Sequence, residues 1–199
     1  MAALTTSDEH YPCVFELNLL EWERYAIDMG RPDVKMAELG DPYTLWVKYR
    51  MALQIGDCHL YRSNKDTTIV LEDIKRLIEE LRKLVARGDN GRLAFDPIEP
   101  DFGLIISNLT ESDAWVMISS AAAVRAGTPT WAAIRSAEPS RMFDVNVWID
   151  HPNQVDRFYG GYGPGLYFPV EIQDIARFAE QLQAELDGLG SYFPGTNSN

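Results

Sequence analysis

The chain is poor in cysteine and histidine, and it has no long apolar run. Its two cysteines, Cys13 and Cys58, are too few for a disulfide-rich scaffold. No stretch reaches the roughly 18 uninterrupted apolar residues that a membrane helix needs. The N-terminal residues have neither the basic nor the apolar region of a secretory signal. We therefore expect reduced thiols, a cytoplasmic location and no association with membranes.

The sequence also lacks the signatures of several large enzyme classes. It contains no phosphate-binding GxxxxGKS/T loop, no GxSxG elbow, no HExxH and no CxxC pair. Four residues are of the types that bind zinc: His10, Cys13, Cys58 and His59. Cys58 and His59 are adjacent in a predicted strand, so their side chains point to opposite faces and do not form one site. These absences favour a non-enzymatic protein that holds no metal and no cofactor.

Acidic residues outnumber basic ones by 30 to 18, which gives a net charge of −12 and a pI near 4.6. A surface of this charge repels the phosphate backbone, so we expect no binding to nucleic acid. It attracts a basic protein, because opposite fields accelerate encounter and reject like-charged competitors. The alternative is that the acidity serves only solubility.

One sequence pattern occurs twice, in residues 67–84 and 167–186. In each copy a β-branched or aromatic run leads into an acidic turn and then into Asp-Ile-x-Arg. At a constant offset the matched pairs are Asp73 and Asp174, Ile74 and Ile175, Arg76 and Arg177, Glu79 and Glu180, and Leu81 and Leu182. The pattern indicates an internal duplication of a strand-then-helix unit, or two amphipathic helices that converged on one spacing.

Apolar periodicity predicts two amphipathic helices, at about 71–87 and 171–188. In the first helix, acidic residues occupy the first turn and Gly88 follows as a stop. Alternating apolar residues predict strands at 13–19, 43–53, 58–62, 67–70, 92–96, 102–108, 114–119 and 142–150. This order predicts an α+β fold in which the helices pack on a mainly antiparallel sheet. We expect one domain over residues 13–189, between flexible tails at 1–12 and 190–199.

Two acidic groups are candidates for chemistry. Asp150, His151 and Asp156 place a histidine beside carboxylates at a strand end, which is typical of a catalytic base. A small hydrolase-like enzyme built on these residues is therefore an alternative function, although no candidate nucleophile accompanies them. Asp96, Glu99 and Asp101 are separated by two prolines and are typical of an exposed turn.

Residues 157–167 are rich in glycine and tyrosine. Glycines permit tight backbone paths, and Phe158, Tyr159, Tyr162 and Tyr167 offer large contact area at low entropic cost, a combination found in recognition loops. The alternative is a hairpin whose tyrosines cover the edge of the core. The segment therefore predicts either a contact surface or a cover for the core.

Several of these segments together resemble the WapI-like immunity proteins that bacteria encode beside polymorphic toxins. The resemblance is carried by a strand with Trp46, by the strand-to-helix step at Asp73-Ile74, by Glu99-Pro100 before an apolar strand, and by the final strand and helix over 167–186. Two segments depart from the family pattern, the Ala-rich residues around Trp131 and the Tyr/Gly segment, and these departures leave the partner's identity open.

The resemblance implies a cytoplasmic inhibitor that carries out no chemistry and binds a cognate toxin, often a nuclease. A basic nuclease also fits the net charge of −12. The residues expected to contact this partner are Asp156, Arg157, Tyr159 and Tyr162, with Glu79 and Glu80 on the first helix. A third possibility is a structural module whose repeated helices pair with a second copy in a homodimer.

Overall fold

The computed structural model describes residues 1–6, 12–24, 45–63, 67–88, 91–97, 102–108, 142–149 and 165–190. These residues form two antiparallel sheets with two helices packed on them. The predicted α+β class and the two amphipathic helices are therefore confirmed. The strands divide between two sheets, one in each half of the chain.

The first sheet contains five strands: β1 (Ala2–Thr5), β2 (Cys13–Arg24), β3 (Leu45–Ile55), β4 (Cys58–Arg62) and β5 (Thr67–Val70). All of its pairings are antiparallel. One edge of β3 pairs with β2, and the other edge pairs first with β5 and then with β4. Helix α1 (Leu71–Arg87) follows β5 without a connecting loop.

The second sheet contains four strands in sequential order: β6 (Arg92–Phe95), β7 (Phe102–Asn108), β8 (Met142–Ile149) and β9 (Gly165–Glu171). Helix α2 (Ile172–Gly188) follows β9 directly, as α1 follows β5. Each half of the chain is thus an antiparallel meander that runs straight into a helix, and β4 is an addition to the first half. The repeated sequence pattern marks a repeated structural unit.

Alternation along the strands produces one buried face per sheet. Val47, Tyr49, Met51 and Leu53 of β3 are buried as the sequence predicts, and so are Phe143, Val145, Val147 and Ile149 of β8. The helices bury the predicted stripes, which include Leu77 and Leu81 of α1 and Phe178 and Leu182 of α2. Gly88 ends α1 at a φ of 65°, where a side chain would be strained.

The two halves share one core. The ring of Phe15 in β2 lies 5.8 Å from that of Phe102 in β7 and 5.7 Å from that of Phe178 in α2. Tyr49 of β3 makes an edge contact with Phe102 at 6.2 Å. Aromatic pairs at these distances add to the stabilisation that burial provides. Residues of both sheets therefore meet at the centre of the described structure.

Each helix also reaches across to the other half. Helix α2 packs on β1 and β2, where Gln181 Oε1 accepts a hydrogen bond from the Ala3 amide at 2.9 Å. Glu185 Oε2 accepts one from the Leu19 amide at 2.7 Å. Helix α1 packs on β6, where the Arg76 guanidinium lies 5.1 Å from the centre of the Phe95 ring. The helices also contact each other, so their apolar stripes are used within one molecule.

Two predictions at the N-terminus need correction. The flexible tail expected over residues 1–12 is wrong for β1, because Ala2 and Leu4 are buried between β2 and α2. Strand β2 continues beyond residue 19 to Arg24, past a register shift between Leu19 and Glu21. The shift interrupts the alternation, so the sequence pattern ends early. The strand predicted at 114–119 and the tail after Gly190 lie outside the described residues.

Candidate functional site

The structure describes two of the residues predicted to contact a partner. Glu79 and Glu80 lie on the third turn of α1. The remaining contact residues and the candidate catalytic residues lie outside the described part of the chain: Asp150, His151, Asp156, Arg157, Tyr159 and Tyr162. Their roles stay predictions.

Glu79 and Glu80 share one cation. The Lys83 ammonium lies 2.9 Å from an oxygen of each carboxylate. Its hydrogen bonds, first to Glu80 and then to Glu79, raise the pKa of Lys83 above the ordinary 10.5, so the lysine is charged at neutral pH. A lysine or arginine of a partner must therefore compete with Lys83 for these carboxylates. All three side chains are exposed, which keeps that competition weak.

The repeated Asp-Ile-x-Arg pattern forms two matching ion pairs. Asp73 lies 2.6 Å from Arg76, and Asp174 lies 2.6 Å from Arg177. Both carboxylates are buried in the first turn of a helix, where the helix dipole favours negative charge. Asp174 Oδ2 also accepts a hydrogen bond from the Glu171 amide at 3.1 Å, as in a capping box. The arrangement explains the repeat by helix structure, and these residues are not candidates for chemistry.

The outer face of the first sheet carries charged side chains. Lys48 and Arg50 of β3 and Glu16 of β2 point away from the core, because their neighbours Val47, Tyr49 and Leu17 are buried. Lys48 binds Glu21 with an N–O distance of 2.9 Å. Half-buried Trp46 stands at one end of this face.

The outer face of the second sheet is different in character. Five of its side chains form what we call the aromatic face: Ile105, Asn146, Trp148, Tyr167 and Pro169. The strand register places Ile105, Asn146 and Tyr167 side by side in one row across β7, β8 and β9. Tyr167 is 41% exposed, whereas its neighbours Leu166 and Phe168 are buried. Tyr167, the last residue of the Tyr/Gly segment, therefore lies in β9 and points away from the core.

Trp148 occupies a place made by two glycines. It is paired with Gly103 on β7 and with Gly165 on β9. A Cβ atom on Gly103 would lie 2.0 Å from Cζ2 of the indole, so the ring lies across the backbone of Gly103. A glycine inside a strand commonly marks such a close approach. The absence of a side chain at Gly103 thus leaves room for the half-buried indole on the outer surface of the sheet.

Trp148 and Gly103 are not among the residues predicted from the sequence, although two signals are present there. In β8 the positions that alternate with Phe143, Val145 and Val147 hold Asp144, which is itself buried, Asn146 and Trp148, and a large aromatic residue is unusual among polar neighbours. In β7, Gly103 interrupts an apolar run that extends from Phe102 to Ile106. Neither signal locates a surface until the strand pairing is known.

Other site types find little support in the described segments. Neither helix there is long and apolar enough to cross a membrane. No group of three or more His, Cys, Asp and Glu side chains in these segments is arranged to hold a metal ion. Cys13 and Cys58 form no disulfide, and each is paired in register with Ile55 of β3.

Comparison with protein-family models gives a match that covers nearly the whole chain. The model described as "Immunity protein WapI-like family" matches residues 4–190. The matched region runs from β1 to the residues that follow α2, so it includes both sheets and both helices. Neither the comparison with curated proteins nor that with solved structures gave a match.

Proposed function

Because the chain belongs to the WapI-like immunity protein family, we propose that it is a non-enzymatic inhibitor that neutralises a cognate toxin by binding it and blocking its active site. The family match over residues 4–190 is the observation that carries this proposal. Within the matched residues, the Trp46 strand, the Asp73-Ile74 step and the final helix are the segments that resemble the family pattern. The inhibitor works in the cytoplasm, where an unblocked toxin would harm the cell that makes it.

The toxin we propose is a basic protein, and a nuclease is the class that fits best. A nuclease needs positive charge to bind the phosphates of its substrate. The net charge of −12 on this chain attracts such a protein and increases the rate of encounter. The inhibitor and the nucleic acid then compete for one basic surface, so occupancy alone is enough for inhibition.

The contact residues expected from the sequence remain part of the proposal. Asp156, Arg157, Tyr159 and Tyr162 supply charge and aromatic area from one segment of the chain. Glu79 and Glu80 contribute more weakly, because Lys83 already neutralises part of their charge.

The test uses the C-terminal domain of the polypeptide encoded immediately upstream of this chain's gene, expressed with and without the chain. We expect co-expression to restore growth, and purified components to form a complex whose association rate falls as salt is raised. An unrelated acidic protein of similar size is the control for unspecific charge attraction. Continued growth arrest, together with the absence of a complex, would contradict the proposed function.

Stoichiometry separates binding from catalysis. An inhibitor that acts by occlusion abolishes toxin activity only when it is equimolar with the toxin. An enzyme built on Asp150, His151 and Asp156 would inactivate many toxin molecules per chain. We expect residual toxin activity to fall linearly and to reach zero at a molar ratio of about one, the titration expected for tight binding.

A further inference from the structure

The repeated architecture allows the two sheets to be compared position by position. Val70 and Glu171 each directly precede a helix, and they pair with Trp46 on β3 and Met142 on β8. Trp46 and Met142 are thus at the same level of their sheets. Arg50 and Asn146 each lie four residues after these two positions, so they are at the same level of their sheets. Ala52 and Trp148 each lie six residues after them and are likewise at one level.

This comparison shows that the fold does not require an outward indole. The level that holds Trp148 in the second sheet holds Ala52 in the first. The space for Trp148 also depends on Gly103, and glycine in a strand lowers stability relative to residues with side chains. Half-buried Trp148 and exposed Tyr167 thus place aromatic surface outside the core at a cost in stability, which favours selection for contact with another molecule.

The charges of the two outer faces select the kind of partner. Strands β7, β8 and β9 contain no lysine and no arginine, and their two carboxylates are Asp144, which is buried, and Glu171, which is half-buried. The nearest base on the second sheet is Arg92 of β6, which pairs with Ser107. The first sheet instead presents Lys48 and Arg50 at the levels of Asp144 and Asn146. A basic partner therefore meets no like charge on β7, β8 and β9, whereas on the first sheet it meets Arg50 and a lysine already paired with Glu21.

We propose that the aromatic face is the surface on which the basic toxin docks, an inference that rests on the proposed function. Tyr and Trp are the residues that most often dominate the energy of protein interfaces, especially near their centre. The indole of Trp148 is already fixed across Gly103, so little side-chain entropy is lost when a partner covers it. Tyr167 and Asn146, side by side in neighbouring strands, extend this surface with an aromatic ring and an exposed amide.

Two substitutions test the surface while leaving the core intact, since both side chains are exposed. Tyr167→Ala removes aromatic contact area. Asn146→Arg gives the second sheet the residue that the first sheet has at the same level, and it opposes a basic partner by like charge. The matched control is Arg50→Ala on the outer face of the first sheet. Thermal unfolding of each variant confirms that the fold is retained.

The probe is the upstream-encoded toxin domain carrying an inactivating substitution, and the readout is Kd by calorimetry. We expect Tyr167→Ala and Asn146→Arg each to weaken binding at least tenfold, and Arg50→Ala to change Kd by less than about twofold, as a surface site outside the interface should. Unchanged binding of both test variants to a toxin that the wild type binds would overturn this inference alone.

Two further outcomes have different meanings. A wild-type chain that does not bind the toxin overturns the proposed function, and this inference with it. A wild-type dimer in sedimentation equilibrium that Tyr167→Ala converts to monomer would assign the aromatic face to a second copy of the chain and would overturn docking of the toxin there.

Discussion

At the scale of single residues, the first turn of each helix contains a buried carboxylate with a nearby arginine. Burial of a charge is costly unless the charge is paired and hydrogen-bonded. Arg76 and Arg177 provide the pairing at 2.6 Å, and the first-turn position adds the favourable helix dipole. Both helices stabilise a buried carboxylate by the same ion pair. The Asp and Arg of the repeated pattern are therefore conserved between the two helices for a structural reason.

The ion pair of α2 gives a residue-scale prediction. Asp174→Ala removes the hydrogen bond to the Glu171 amide and the partner of Arg177, and we expect it to lower the free energy of unfolding by about 1–2 kcal/mol. Arg177→Ala should cost less than about 1 kcal/mol, because the guanidinium is largely exposed. Urea denaturation measures both, with exposed Glu180→Ala as the control. A cost for Arg177→Ala equal to that for Asp174→Ala would contradict the capping role.

The contact between Trp148 and Gly103 gives a second prediction. Gly103→Ala places a methyl group inside the volume of the indole, and we expect it to destabilise the fold by about 1–3 kcal/mol. In a Trp148→Ala background the same change should cost less than about 0.5 kcal/mol, because the obstructing ring is absent. A double-mutant cycle from urea denaturation measures the difference. Equal costs in both backgrounds would show that the indole is not the obstacle.

At the scale of elements, the helices are the part of the fold that the sequence predicts best. Helix α1 runs over Leu71–Arg87 as predicted, and α2 begins at Ile172, within one residue of its predicted start. Helical hydrogen bonds are local, so the apolar period and the end residues are visible in a short window. Strand β1 has no such signal, because its burial depends on β2 and on a helix near the other end of the chain.

The buried stripe of α1 gives a prediction at this scale. Leu81 is completely buried, so Leu81→Ala should lower the free energy of unfolding by about 2–5 kcal/mol through lost burial and a residual cavity. The adjacent exposed residue provides the control, and Arg82→Ala should stay within about 0.5 kcal/mol of the wild type. Chemical denaturation measures both. An effect below about 1 kcal/mol for Leu81→Ala would be incompatible with the packing of α1.

The aromatic face could not be predicted from the sequence of its single strands. The alternation of β8 predicts correctly that Phe143, Val145 and their alternate neighbours are buried. It does not show that Trp148 lies beside Gly103 and Gly165, because those neighbours come from strand pairing across long sequence separations. Among the aromatic residues of the Tyr/Gly segment, only Tyr167 falls within the described residues, so the roles of Tyr159 and Tyr162 stay predictions.

At the scale of the whole molecule, the helices join the two halves. Helix α2 packs on β1 and β2, α1 packs on β6, and Phe15 contacts aromatic rings of the second half. The sequence repeat predicts two similar units but not that each helix also packs on strands of the other half, because the local pattern does not specify which sheet a helix covers. Neither half can bury its apolar surface without the other.

Cooperative unfolding is the corresponding prediction. We expect the far-ultraviolet circular dichroism and the tryptophan fluorescence to change together in urea, in one two-state transition. Phe178→Ala, on α2, should destabilise by about 3–5 kcal/mol and move both signals to the same lower midpoint. Two separate midpoints, with only one moved by the substitution, would mean that the halves unfold independently.

The hydrogen bond between Ala3 and Gln181 also has a consequence for how soon a newly synthesised chain can complete its fold. The two residues are 178 positions apart, and a ribosome adds about 5–20 residues per second, so β1 waits on the order of ten to forty seconds for the helix that covers it. Until then the nascent chain has a first sheet without its cover and a core without Phe178. On the proposed function, protection by a newly made molecule therefore begins only when synthesis has passed α2.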